Sequence, residues 1–130
     1  MTYALSQKSL DKMKGLHPDL IKVVKRAIEL TTVDFTVGET LRTVERQKEL
    51  VAKGASQTIK SRHLTGHAID LYALKNGVVV WELPLYKEIA KAMLQAAKEL
   101  GVDLEWGGNW KTLVDGPHFQ LTWKSYPKWL

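Results

Sequence analysis

The sequence predicts an α+β fold: a single domain, residues 1–130, in which a small antiparallel sheet packs with about three helices. Three observations carry this. Amphipathic helical stripes occur early and again in the middle of the chain. Asn76-Gly77, the strongest two-residue hairpin signal, lies between two apolar runs. Strand and helix signals do not alternate in the regular way that βαβ winding requires.

Leu20, Val23, Val24, Ala27 and Ile28 follow the i, i+3, i+4, i+7, i+8 spacing of a helix with one apolar face, and Lys22, Lys25, Arg26 and Glu29 take the other. Pro18 suits its first turn, and Asp19 adds favourable charge there. Asp34 to Val37 reads as a short strand closed by Gly38. A second helix runs from about Val44 to Lys53 and stops at Gly54. Ala68 to Leu74 is a strand, and Val78 to Trp81 returns as its hairpin partner. Pro84 opens a third helix with Tyr86, Ile89, Ala90, Met93, Ala97 and Leu100 inward, and Gly101 ends it. Two more short strands are expected, near Asp103 to Trp106 and from His118 to Trp123.

The chain has 130 residues, no repeat, and no Pro/Gly/Ser linker, which fits one compact domain. Its 45% hydrophobic and 25% charged content is ordinary for a globular protein. The absence of cysteine excludes a disulfide scaffold, thiolate zinc sites and a Cys nucleophile. No apolar run approaches the ~20 residues needed to cross a bilayer. Residues 1–15 lack the apolar stretch of a secretory signal, so synthesis in the cytoplasm is expected. The net charge of +5 hints at a polyanionic partner such as an acidic wall polymer. The lysines are scattered, however, and read mainly as a solvated surface. No helix-turn-helix or basic stripe supports nucleic-acid binding.

The informative stretch is Ser61-Arg62-His63-Leu64-Thr65-Gly66-His67-Ala68-Ile69-Asp70-Leu71, which leads into a strand. Strand parity puts Asp70 on the same face as Ala68 and Tyr72, opposite the packing residues Ile69 and Leu71. In the last strand His118, Gln120 and Thr122 share a face while Phe119, Leu121 and Trp123 pack. Two strands thus present an Asp and a His to one point, which a loop histidine, His63, completes. Two imidazoles and a carboxylate with one open position form a catalytic zinc set. A helical His63/His67 pair of the H-E-x-x-H type is rejected, because Leu64 follows His63 and Thr65-Gly66 weaken a helix. On spacing alone, a hydrogen-bonding strand Asp and a core or surface His remain open readings.

Ser61 to Asp70 has the form S-x-H-x-x-G-x-A-x-D, and Asp115 to His118 the form D-x-x-H. Together they resemble the zinc peptidases of the D-alanyl-D-alanine carboxypeptidase/dipeptidase superfamily, the M15 family. The order of Thr36 to Arg46, then Ser61 to Leu71, then Trp106-Gly107-Gly108-Asn109-Trp110 is most similar to its phage endolysin branch, the L-alanyl-D-glutamate endopeptidases. The resemblance spans roughly Thr36 to Trp123. It implies a DD-peptidase/Hedgehog-like fold and a zinc-dependent hydrolase of the peptidoglycan stem peptide, of phage or prophage origin.

The resemblance further implies one zinc ion per chain held by His63, Asp70 and His118. It makes Asp115 the catalytic carboxylate, Arg42 the arginine that steadies the developing oxyanion, and Ser61 a substrate contact. His67 is then a rim residue or a support behind the ligands. Simpler readings stand beside these: a surface ion pair of Arg42 with Glu39 or Glu45, and an Asp-Gly-Pro turn at Asp115. Trp106 and Trp110 either wall the cleft or pack in the core, Gly107 and Gly108 permit a tight turn, and Trp123, Tyr126 and Trp129 cover the sheet.

The partner expected is the peptidoglycan stem peptide, with no nucleic acid, no stable membrane insertion and a monomeric chain. The family implies a holin that opens the membrane, so that the enzyme passes from host cytoplasm to periplasmic peptidoglycan. The alternatives are a D-alanyl-D-alanine carboxypeptidase or dipeptidase on the same fold, or a non-catalytic, zinc-containing wall-binding module. Asp115 beside an intact ligand set argues against the latter.

Overall fold

The computed structural model describes residues 3–54, 61–110 and 115–127. In chain order these form α1 (Gln7–Lys12), α2 (Pro18–Leu30), β1 (Phe35–Val37), α3 (Val44–Ala52), β2 (Ala68–Lys75), β3 (Val78–Val80), α4 (Leu83–Leu100), β4 (Leu104–Trp106) and β5 (His118–Leu121). Single 3-10 turns occupy Arg62–Thr65 and Gly107–Asn109. The α+β class and the small antiparallel sheet are as the sequence predicts.

Strand β2 is the axis of the sheet. Its order is β1-β2-β5-β4, with β3 pairing on β2, and every pairing is antiparallel. β1 takes one edge of β2, opposing Val37 to Leu71 and Phe35 to Ala73. The other edge is shared. β5 occupies its first half, with Ala68 opposite Gln120 and Asp70 opposite His118. The hairpin partner β3 occupies the second half. Tyr86 of α4 fills the junction: its hydroxyl accepts from the Ala73 N–H (3.2 Å) and donates to the Val80 carbonyl (2.6 Å). The hairpin turn has both Asn76 (φ 52°) and Gly77 (φ 78°) in the left-handed region, the demand of a type I′ turn.

One sheet face carries Phe35, Val37, Ile69, Leu71, Phe119 and Leu121, all buried with Leu20, Val23, Val24 and Ala27 of α2 and Ile89, Ala90 and Met93 of α4. Each Val, Leu, Ile, Phe or Met among these contributes about 1.5–3 kcal/mol by leaving water, and each Ala about 0.8 kcal/mol. This apolar layer fixes the sheet's orientation, so the alternate residues of β2 and β5 must face the other way.

Three details differ from expectation. Leu100, on the last turn of α4, is 44% exposed rather than inward, although Ala96 and Ala97 before it are buried. Trp123 lies beyond β5 and is 39% exposed; its ring covers the Arg62 guanidinium at 4.0 Å instead of packing in the core. Helix α1 carries no apolar stripe long enough to announce it. It is held by Leu10 and the capping Met13, which pack on the core, and by polar contacts: Ser6 caps the Ser9 N–H, and the Ser9 hydroxyl accepts from the Val37 N–H (3.0 Å) and lies 3.1 Å from Thr36 Oγ1. Of the tryptophans, Trp129 lies outside the described residues.

Candidate metal centre and active site

The β2–β5 register sets Asp70 directly against His118, both on the face turned away from the apolar layer. Asp70 is further fixed by its backbone, which donates to the Glu39 carbonyl (2.8 Å) and accepts from the Gly38 N–H (2.8 Å). His63 arrives from the turn before β2. Ser61 caps that turn through its hydroxyl, which accepts from the His63 N–H (3.2 Å). Gly66 (φ 75°) closes it in the left-handed region and receives the His17 N–H on its carbonyl (2.9 Å).

The three side chains converge. Asp70 Oδ1 lies 3.4 Å from His63 Nε2 and 3.1 Å from His118 Nδ1. One ligand atom from each residue falls within 4.8 Å of the others. Both imidazoles are buried. His63 Nδ1 lies 2.8 Å from the Thr40 carbonyl, an acceptor only, so Nδ1 carries a proton and Nε2 is the ring atom turned toward Asp70, where it can hold a proton for the carboxylate or a lone pair for a metal. Two buried nitrogens and a carboxylate, with the far side of the ring already satisfied, fit a divalent metal of the zinc type.

Electrostatics separate the two carboxylates here. Burial alone would raise the pKa of Asp70, but hydrogen bonds from His118 and His63 and their charges outweigh it and hold the group well below the ordinary carboxylate range. Burial works against a charged His118, yet the bond to Asp70 and its charge carry its pKa above the ordinary value. Asp115 shifts upward, first through burial and then through the negative charge of Asp70; His118, His63 and Arg42 pull the other way. Asp115 is placed by its backbone, donating to the Gly107 carbonyl (3.0 Å) and accepting from the His118 N–H (3.2 Å).

Arg42 is anchored beside this group, its backbone N–H on the His63 carbonyl (3.0 Å). Its ion pair with Glu39 exists, but it is no surface pair: the Arg42 side chain is 8% exposed and grips both Glu39 oxygens (2.8 and 2.7 Å) and Gln47 Oε1 (2.6 Å). His67 is not among the three converging side chains. It packs on His17 and Tyr126 (centroids 5.4 and 6.5 Å), with Nδ1 2.6 Å from Thr65 Oγ1. The Trp110 ring lies 5.0 Å from that of His118 and walls the site, whereas Trp106 is buried and donates to the Gly116 carbonyl (2.6 Å). Gly107 serves close approach rather than a special backbone angle: a Cβ there would overlap the Asp115 carbonyl oxygen.

Sequence reasoning did not pick out Gln120, Glu105, the Thr40 carbonyl or Gln47. Gln120 was visible as the residue two beyond His118 on one strand face. Glu105 opposes Gln120 only through the β4–β5 register, which no local pattern reveals.

A small α+β fold that brings two buried histidines and one carboxylate together, with a second carboxylate and an arginine close by, has the plan of a metal-dependent hydrolase. The family model for phage L-alanyl-D-glutamate peptidases matches residues 1–122, and the chain belongs to that family. It is 36% identical over 119 residues to the L-alanyl-D-glutamate peptidase of Escherichia phage T5, covering 88% of this chain and 87% of that one. It is 30% identical to the peptidoglycan L-alanyl-D-glutamate endopeptidase CwlK of Bacillus subtilis, over 89% and 81% of the two chains. Among solved structures, the Serratia marcescens L-Ala D-Glu endopeptidase ChiX matches with a TM-score of 0.91 and 52% identity, over 94% of this chain and 92% of that one.

Proposed function

We propose that this chain hydrolyses the L-alanyl-D-glutamate bond in the stem peptide of bacterial peptidoglycan, as an endolysin-type zinc peptidase whose catalytic domain spans residues 1–130. The observation that carries the reading is the opposition of Asp70 and His118 across β2 and β5, closed by His63 into one compact ligand group. It stands in a chain 52% identical to an endopeptidase named for this bond.

His63, Asp70 and His118 would hold the zinc. When bound, zinc supplies Lewis acidity and makes a water nucleophilic near neutral pH, lowering its pKa from about 15.7 to about 7. Asp115 takes the proton of the attacking water and returns it to the departing amine of D-glutamate, acting as base and then as acid. Burial, the first cause of its upward-shifted pKa and one that a cation on Asp70 does not remove, suits a group that must both accept and release a proton. Arg42, its fork held by Glu39 and Gln47, offers a preorganised positive charge to the carbonyl oxygen as that oxygen becomes negative. The Ser61 hydroxyl accepts a backbone N–H, which leaves its own hydrogen to donate to substrate. His67 supports the rim of the loop through His17 and Tyr126, and Trp110 flanks the stem peptide.

The surface charge of +5 would draw the enzyme to anionic wall polymers, an attraction that salt weakens. No described helix is long and apolar enough to cross a membrane. We take the enzyme to act as a monomer that reaches periplasmic peptidoglycan from the host cytoplasm through a membrane opened by a holin-type partner.

The test is mass spectrometry of muropeptides digested by the zinc-loaded protein and by the chelated one. New free D-glutamate amines that appear only with zinc are expected. Released D-alanine would move the assignment to a carboxypeptidase or dipeptidase, and no product from folded, zinc-loaded protein would move it to a non-catalytic wall-binding module.

A further inference from the structure

We propose that Glu105 and Gln120 are positioning residues that fix which nitrogen of His118 faces the metal. The inference rests on the reading that His118 is a ligand through Nδ1, the atom turned toward Asp70. Glu105 and Gln120 oppose each other across β4 and β5, and Gln120 shares its strand face with His118. Gln120 Nε2 donates to Glu105 Oε1 at 2.5 Å, and Gln120 Oε1 lies 2.7 Å from His118 Nε2. Gln120 and His118 are 7% and 5% exposed, so water does not substitute freely for either bond.

The chemistry of donors and acceptors reads this chain in one direction. A carboxylate only accepts, so Glu105 requires the amide NH2 of Gln120 to face it. The amide oxygen must then face His118, and because that oxygen only accepts, His118 Nε2 must carry a proton. A neutral imidazole has one N–H, which leaves the lone pair on Nδ1. The carboxylate at the far end therefore sets the amide, the amide sets the tautomer, and the tautomer aims the donor atom. His63 achieves the same with a backbone carbonyl on its far nitrogen. His118 has a side-chain relay, which substitution can break.

The experiment measures zinc affinity by competition with a chromophoric chelator, for the parent and for Gln120→Leu, Glu105→Gln and the exchanged pair Gln120→Glu with Glu105→Gln. Loss of such a partner typically weakens metal binding about 10- to 100-fold, and Gln120→Leu should fall in that range. Glu105→Gln, which leaves either amide orientation free, should lose less. The exchanged pair again offers an acceptor to His118 Nε2 and a donor on the far side, so it should regain most of the affinity. Proton NMR of the zinc-loaded protein adds a readout that general destabilisation does not move: the His118 Nε2–H resonance should shift upfield in Gln120→Leu and return in the exchanged pair. Should Gln120→Leu not fold, Glu105→Gln and the exchanged pair carry the comparison. A parent that binds zinc, with folded variants binding it within about threefold, overturns the relay alone. A parent that binds no zinc overturns the ligand reading and the relay with it.

Discussion

Arg62 is the residue whose loss should do most harm without touching the chemistry. It is 2% exposed and lies in the turn that carries His63. Its guanidinium donates to the carbonyls of Leu121 (3.1 and 3.3 Å), Thr122 (3.2 Å) and Tyr126 (2.6 Å), and Trp123 covers its face at 4.0 Å. One planar fork thus ties the turn before β2 to the chain leaving β5. Hydrogen bonds to a charged group are each worth roughly 1.5–3 kcal/mol, and the stacking adds about 1 kcal/mol. Arg62→Ala strands three carbonyls, of which those of Thr122 and Tyr126 lie near enough to the surface to regain water, so the net cost should be about 4 kcal/mol. Against a total stability of about 5–15 kcal/mol that is a large share. For a chain of this length it corresponds to a fall in Tm of roughly 12–20 °C. Arg62→Lys keeps the charge but neither the fork nor the stack, and should recover less than half of the loss. Thermal scans by circular dichroism decide the matter. An Arg62→Ala variant melting within about 3 °C of the parent would refute the idea that the guanidinium clamps the two segments.

Asp115→Asn should abolish hydrolysis, a drop of at least about 100-fold for a lost general base, while zinc stoichiometry by atomic absorption stays near one; loss of the metal would mean the base was misplaced. His63→Ala should lose metal and activity together, and retained zinc would remove His63 from the ligand set. Tyr126, raised to about 12 by burial and by its bond to Asp19, is favoured in its protonated form by folding. The stability it lends is therefore complete below its ordinary pKa of about 10 and is lost as pH rises through 12, so Tyr126→Phe should remove the last step of tyrosinate absorbance and flatten the alkaline melting curve; an unchanged titration would contradict this. Gly107→Ala should cost more activity than stability, because the added Cβ overlaps the Asp115 carbonyl and comes within 3.1 Å of the Asp115 and His118 Cβ atoms. Turnover within about twofold of the parent would show that the Asp115 loop gives way freely.

What the sequence reveals here divides along physical lines. The α2 stripe, the Asn76-Gly77 hairpin and the β2 face are local patterns of period 3.6 or 2, and each is found where those periods place it. Parity puts Asp70 and His118 each on the face opposite the apolar layer, but their pairing across β2 and β5 is a long-range register that spacing leaves open and only the family resemblance pointed to. Helix α1 was not legible, since its anchor is the Ser9 hydroxyl on Val37, a contact made across 28 positions of sequence. The same limit hid Glu105 and the Thr40 carbonyl, whose importance comes from strand register and loop closure. Trp123 departs from strand parity because β5 ends at Leu121, where the chain leaves the sheet to stack on Arg62.

The two carboxylates of the site illustrate why residue type alone underdetermines role. Asp70 and Asp115 are the same side chain, and both suffer the desolvation that raises a carboxyl pKa. Asp70 sits in a strand whose backbone is pinned along one edge by Gly38 and Glu39, and two imidazoles reach its side chain, so its charge is stabilised more than burial opposes it. Asp115 sits in a loop with no such direct partners among the interactions that shift it, and the charge of Asp70 pushes it further toward the protonated form. The first shift favours the anion, which suits the ligand role proposed for Asp70; the second favours the protonated form, which suits the proton-exchanging role proposed for Asp115. A cation at the His63–Asp70–His118 group would cancel the repulsion from Asp70 and bring Asp115 back toward the carboxylate. Binding the metal would thereby ready the base, and an Asp115 whose pKa did not fall on zinc binding, read by carboxyl NMR, would break that coupling.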